Sequence, residues 1–495
     1  MKLIKEPFLM DSRVRAVAGF AALLFISIFF AFAIKSMGVK GGALIIIALV
    51  GPVFAYAVIA YPKFGVLSLI ILSYFILWIM KLGLTTFPLG TVMDGLLALL
   101  LVGLIIHLKY NPDWSYFRNP VGILIIIWIA YNFLEVINPS AASRLAWVYT
   151  IRSLAIVMLT YFVFVYHIRS IAFVRTIIKI WLGMSIFAAF YGLKQQFIGF
   201  TAFEEEFLYS DPMITDLLFI NGEWRKFSIY ADPVVFSYNM IISSIICVGL
   251  MFRPIPFYQK LGLAALIFIF LFNMLISGTR SAYLLIPASL FMLMILKFNK
   301  KLLFYAGVAG FVLAFIVLMP TSSPRIYRFQ SAFKPSNDAS FNVRAINQKR
   351  IQPYIQTHPM GGGLGSTGVW GGKFSPGSFL ASFPPDSGYV RVAVEMGWIG
   401  LLLFCILVFT ILKTGINNYY KIKDPELKTY CLMMVLIVYV IAIGNYPQEA
   451  ITQYPSNVIF FLVAALTTTT YNLDQQKSAE EAAQAEEAKD ARQIH

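Results

Sequence analysis

Residues 16–34 read AVAGFAALLFISIFFAFAI, an unbroken apolar run that follows the basic opening MKLIKEPFLMDSRVR. A bilayer crossing takes roughly 20 apolar residues, and no small-residue cleavage site follows the run. It therefore reads as a retained first transmembrane helix and not as a signal peptide. Comparable runs begin near Gly42, Phe64, Gly90, Pro120, Val148, Thr176, Val234, Leu261, Ala282, Leu302, Tyr389, Tyr430 and Ser456. Together they predict an all-α polytopic integral membrane protein of about 14 transmembrane helices, or 12 if the shorter runs do not cross. Composition agrees, because 59% of the residues are hydrophobic and only 13% charged, against about 25% charged in soluble globular chains. Lipid must solvate most of such a chain.

Cys247, Cys405 and Cys431 lie singly inside apolar runs, which argues against a disulfide framework and against a zinc site. The formal net charge is +15, but the basic residues are scattered through short connections. That pattern orients helices in a bilayer and requires no nucleic-acid partner. With the N-terminus cytoplasmic, the inner connections carry Lys63, Lys109, Arg118, Arg169, Arg175, Arg253, Lys260, Lys297, Lys300 and Lys301, then Lys413 to Lys428. The C-terminus is then cytoplasmic too. Three segments fall outside: 199–233, the turn Ser277–Ser281, and one long loop at 320–388. The expected organisation is 1–232 for helices one to seven, 233–319 for helices eight to eleven, 320–388 for the long outer loop, 389–471 for the last three helices, and 472–495 for a polar tail. No internal repeat stands out, which weakens an inverted-repeat transporter reading.

Ionisable residues inside membrane spans are costly and mark function. On this topology Asp94, Glu135, Arg152, Lys194, Arg280 and Glu449 collect at the outer level, with Lys179 as the main exception near the inside. Helix ends also tolerate charge because long side chains snorkel to water. The bias toward one level nevertheless points to a site that opens outward, whereas an ion-coupled transporter would hold its charges near the midplane.

Three stretches carry chemistry. Leu275-Ile-Ser-Gly-Thr-Arg-Ser-Ala-Tyr283 is a tight turn that sets Arg280 between two helices. A guanidinium suits a phosphate, since its planar fork donates paired hydrogen bonds and stays charged; it would equally serve as a cap or a headgroup anchor. Next, Phe341-Asn-Val-Arg344 leads through Arg350 to His358-Pro-Met-Gly-Gly-Gly-Leu-Gly-Ser-Thr-Gly368. Gly363 and Gly365 there can take positive φ and build a nest of N–H groups for an anion. His358 reads as a loop residue. Third, Pro384-Pro-Asp-Ser-Gly-Tyr-Val-Arg391 returns the loop to the membrane. Asp386 at its mouth can accept a proton from a sugar hydroxyl, while Asp386 or Ser387 would also cap the helix. Arg391 and Glu395 lie four apart and can pair on one face. Arg152, Lys194 and Arg350 complete the candidate binding residues.

Together, over roughly residues 233–404, these stretches resemble the O-antigen ligase and O-antigen polymerase family of bacterial membrane glycosyltransferases. The ligase signature is His, then Asn, Ser or Gln, then nine residues, then Gly-x-x-Gly. Asp386, Ser387 and Gly397-Trp-Ile-Gly400 fall at that spacing, with aspartate in the histidine position. Ser277-Gly-Thr-Arg280-Ser281 matches the family's small-Arg-Ser turn, and Arg344 best matches its loop arginine. The resemblance implies a GT-C-like fold in the bacterial inner membrane and a periplasmic site that uses no metal and no cofactor. It implies an undecaprenyl-diphosphate-linked glycan donor and a glycan or lipid-linked acceptor, with a chain-length regulator as a further candidate partner. Arg280 and Arg344 would neutralise the leaving diphosphate and Asp386 would act as base. The aspartate favours a polymerase over a ligase. A lipid-linked oligosaccharide flippase and an envelope scaffold are the readings from other classes.

Overall fold

The computed structural model describes residues 20, 24, 27, 28, 30–32, 35, 36, 38–81, 90–220, 222–322, 324–333 and 339–493. Most of the first predicted span lies outside them. Two compact units divide the chain, residues 1–61 and 62–495. In the first, α1 (Val39–Ala60) is an apolar helix with Pro52 inside it.

The second unit is a helical bundle. Its long helices are α2 (Pro62–Lys81), α3 (Gly90–Tyr110), α4 (Pro120–Leu134), α5 (Arg144–His167) and α6 (Ile171–Phe197). After a connection holding α7 (Ala202–Tyr209), α8 (Pro212–Leu218) and the hairpin β1 (Phe219–Ile220) and β2 (Glu223–Trp224), the bundle resumes. There follow α9 (Pro233–Met251), α10 (Phe257–Ile276), α11 (Arg280–Leu296) and α12 (Lys300–Leu318). The long connection carries α13 (Pro324–Ser331), α14 (Ala339–Thr357) and α15 (Gly368–Phe374), and the chain ends in α16 (Gly388–Lys421), α17 (Pro425–Gly444) and α18 (Ser456–Gln493).

Among the described residues ten helices are long and apolar enough to cross a membrane, and Ala48–Ala60, Arg280–Leu296 and Leu303–Leu318 are shorter apolar stretches. The chain is an all-α multi-pass membrane protein. Helix starts follow capping chemistry. Asp232 precedes Pro233 and accepts the amides of Val234 and Val235 at 2.7 and 2.9 Å. Asp424 precedes Pro425 and accepts those of Glu426 and Leu427, both at 2.9 Å. The helices α9 and α17 and the apolar first part of α18 are buried on most of their faces, as all-round hydrophobicity requires. α18 continues through the polar tail as one helix to Gln493.

Up-and-down connectivity sends the two longest connections to one end of the bundle, together with the three-residue turn 277–279. The opposite, short-turn end holds 111–119, 168–170, 252–256, 297–299 and 422–424. The loop end gathers 198–232, 277–279 and 319–387. Asp94, Glu135, Arg152, Lys194, Arg280 and Glu449 all belong to the loop end.

Candidate functional site

The turn between α10 and α11 is held from two sides. Gly278 has φ 63°, a left-handed conformation that glycine adopts without strain. Arg225, from the end of the hairpin, donates from Nε to the Ser277 carbonyl at 3.0 Å and from Nη2 to the Thr279 hydroxyl at 3.0 Å. Arg328 of α13 donates from Nε to the Gly278 carbonyl at 2.9 Å. Arg280 opens α11 directly after these three braced residues. Burial pushes the Arg225 guanidinium down to about 10, and the neighbouring charges of Arg328 and Arg280 push the same way against the pull of Asp232. Three cations therefore converge on one turn.

A second centre lies where the long connection returns. The Ser387 hydroxyl accepts the Val390 amide at 3.4 Å and caps α16. Asp386 is thus released from capping; it is exposed. It shares a small recess with Arg344, Asn347 and Gln348 of α14. Arg344 also lies within electrostatic reach of Tyr238, whose hydroxyl bonds Ser281 Oγ at 3.2 Å and the Gly444 carbonyl at 3.1 Å. Tyr238 thus joins the start of α11 at Ser281 and feels the charge of Arg344. Arg280 itself does not line the recess.

The glycine run packs on a kink in α16. Gly397 has φ 68° in the middle of that helix, and a Cβ there would strike the Pro359 carbonyl. Gly362 and Gly363 donate to the Val394 and Glu395 carbonyls, both at 2.9 Å. Gly365, with φ 79°, donates its amide to Glu395 Oε2 at 3.0 Å. Of these amides, the one from Gly365 meets a carboxylate, that of the chain's own Glu395, while those of Gly362 and Gly363 go to backbone carbonyls. The Thr367 hydroxyl also donates to Glu395 Oε1, and Arg391 joins it at 3.2 Å. Arg391 reaches Glu449 at 2.7 Å as well. Burial raises the Glu449 carboxyl above its ordinary range, with Arg391 opposing and Glu395 adding to the rise.

Arg391, Glu395 and Glu449 border a cavity of about 450 Å³ whose walls include Trp128, Met158, Phe404, Phe460 and Phe461. Pro385 and Gly388 line this cavity, while Asp386 and Ser387 line the recess. The first turn of α16 thus separates a mostly apolar chamber from the small recess that Asp386 and Arg344 border.

The remaining candidates stand apart from the recess. Arg152 pairs with Asp94 at 3.1 Å. Lys194 sits 3.4 Å from Glu204, which is also the reciprocal partner of Thr201 in a capping box. Arg350 lies over the Phe379 ring, 5.3 Å from its centroid. Arg225, Arg328 and the role of Glu395 as acceptor of the Gly365 amide were not singled out from the sequence. Among the described residues no group of three or more His, Cys, Asp or Glu side chains is placed to hold a metal ion.

A braced arginine turn and a recess shared by an arginine and a carboxylate thus lie at the loop end of a helical membrane protein. Residues 265–405 match the family model Wzy_C: O-Antigen ligase. The match supports a domain of the O-antigen ligase/polymerase family over this segment and a glycosyltransferase-type activity. The family implies lipid-linked glycan substrates in a bilayer. No curated protein matches the chain. The matched segment holds Arg280, Arg344, Asp386 and Glu395, whereas Arg225 and Glu449 come from outside it.

Proposed function

We propose that this protein polymerises surface polysaccharide, joining an undecaprenyl-diphosphate-linked glycan to a sugar hydroxyl on the periplasmic face of the bacterial inner membrane. The observation that carries the reading is the common recess of Asp386 and Arg344, at the same end of the bundle as Arg280 and one helix turn from an apolar chamber. Asp386 takes the proton from the acceptor hydroxyl, whose oxygen attacks the anomeric carbon. The bond from that carbon to the diphosphate breaks, and the leaving diphosphate keeps the electron pair. Charge develops there, so Arg280 and Arg344 act where fixed cations lower the barrier most. An apolar chamber suits a polyprenyl tail.

Transfer to lipid A core or another terminal acceptor is a second reading, favoured by the description of the family model as a ligase. Aspartate in place of the signature histidine favours the polymerase. The test is Arg280→Ala at wild-type membrane abundance, with polysaccharide length read on gels. Unextended or unattached chains are expected; full-length polysaccharide would remove Arg280 from the mechanism. Purified growing-repeat and terminal acceptors, offered separately with a lipid-linked donor, separate polymerase from ligase.

A further inference from the structure

Two clefts open at the short-turn end of the bundle, far from Asp386 in the up-and-down order. One, of about 480 Å³, is walled by Ile178, Leu182 and Leu250. The other, of about 330 Å³, runs past Leu263 and Leu266. They meet at Leu250 and Arg253, which border both.

The first cleft also carries Arg175 and Lys179. These lie four apart on α6 and so share one helix face, where like charges repel. One carboxylate serves the group. Glu426 takes Arg175 Nε at 2.7 Å and Nη2 at 2.6 Å, Arg253 Nη2 at 3.0 Å, and the Tyr430 hydroxyl at 2.5 Å. Its oxygens are occupied, and among the described residues Lys179 makes no ion pair. Lys179 stands about 12 Å along the axis from the start of α6 at Ile171. It is exposed on the outside of the bundle, where an ammonium needs water or an anion. Its stem tilts back toward the helix N-terminus and brings the ammonium toward the level of Arg175.

We propose that this pair of clefts binds one anionic phospholipid, with its phosphodiester among Lys179, Arg175 and Arg253 and one acyl chain in each cleft. Three cations against one carboxylate leave excess positive charge at a lipid-facing surface. Two apolar clefts flanking one cationic centre match one headgroup that carries two chains. Basic pockets between transmembrane helices suit such headgroups. The site is independent of the transfer reaction.

The full-length protein in neutral detergent is titrated with dioleoyl-phosphatidylglycerol, dioleoyl-phosphatidylcholine or inorganic phosphate, and bound lipid is counted by native mass spectrometry. One phosphatidylglycerol should be retained in preference to phosphatidylcholine. Lys179→Gln should weaken its retention about fivefold, while Lys179→Arg keeps it. Equal retention of the two lipids, which generic snorkelling predicts, would overturn the site. So would wild-type retention by Lys179→Gln, or a loss in Lys179→Arg as large as in Lys179→Gln. Displacement of the lipid by an equal concentration of inorganic phosphate would also count against it, because the clefts would then contribute nothing.

Discussion

The two ends of the bundle both pair charges directly, but only one adds irregular backbone to the task. At the short-turn end, cations on regular helices meet carboxylates directly, as in Arg175 and Arg253 with Glu426 and Lys477 with Asp424 at 2.5 Å. Asp474 there simply receives the amides of Lys423 and Asp424. At the loop end Arg152 pairs with Asp94 and Arg391 with Glu449, and irregular backbone also holds charge. The Gly278 carbonyl accepts from Arg328 and the Gly365 amide donates to Glu395, in a region where Gly278, Gly361, Gly363, Gly365, Gly368 and Gly397 all have positive φ. Non-helical backbone at membrane level is tolerated where it is buried in protein or lines a cavity, and the glycine run does so beside the 450 Å³ chamber. One end closes the bundle; the other spends regular hydrogen bonding to aim groups at a cavity.

This contrast breaks most sharply at Asp386. Asp386→Asn should lower glycan transfer by about 10²–10⁴-fold if the carboxylate is the base. Membrane abundance should stay at the wild-type level, because Ser387 and not Asp386 caps α16. Transfer rates normalised to protein in membranes are the measurement, and an unchanged rate would leave the loop end without a base.

Gly397→Ala probes the backbone instead. The new Cβ meets the Pro359 carbonyl, and φ 68° strains any L-residue. The substitution should cost ~2 kcal/mol or more and lower both thermal stability and transfer. Its counterpart at the other end is Glu426→Gln, which removes the shared partner of Arg175 and Arg253. Those arginine side chains are 49% and 29% exposed, so solvent screening holds the loss to about 1 kcal/mol. Melting temperature should fall slightly while transfer by the folded protein is retained. A large loss of transfer would mean that the two ends are coupled.

How much of this was legible beforehand follows the same division. Helix starts were readable because apolar runs and caps are local: the run expected near Val234 begins at Pro233, and the one near Tyr389 begins at Gly388. The pairing of Arg391 with Glu395 was readable from their spacing of four. The glycine run suggests a nest for an anion, whereas the Gly363 amide goes to a backbone carbonyl and only that of Gly365 meets a carboxylate, Glu395, 30 residues away. Arg225 and Arg328 reach the Gly278 turn across 52 and 50 residues, from loops whose sequence announces only that they are polar. The kink at Gly397 was hidden for another reason. An apolar helical pattern runs through it, and only the neighbouring Pro359 carbonyl shows why the backbone turns there.

The smallest expected effect concerns Glu449, the loop-end carboxylate that Arg391 shares with Glu395. Its folded pKa lies above the ordinary value of 4.5, chiefly because it is buried. A raised carboxyl binds its proton more tightly when folded, so its stabilising increment is fully present below pH 4.5 and is lost as pH rises through the folded pKa. Above that point the buried charge is held by Arg391 against the repulsion of Glu395. Glu449→Gln cannot ionise and should flatten the fall of melting temperature over that window, with little change at lower pH. The Glu426→Gln variant should keep the slope, since it leaves the loop end untouched. An unaltered slope in Glu449→Gln would mean that Arg391 fully compensates the buried charge, and the loop end would then pair its charges as simply as the other end does.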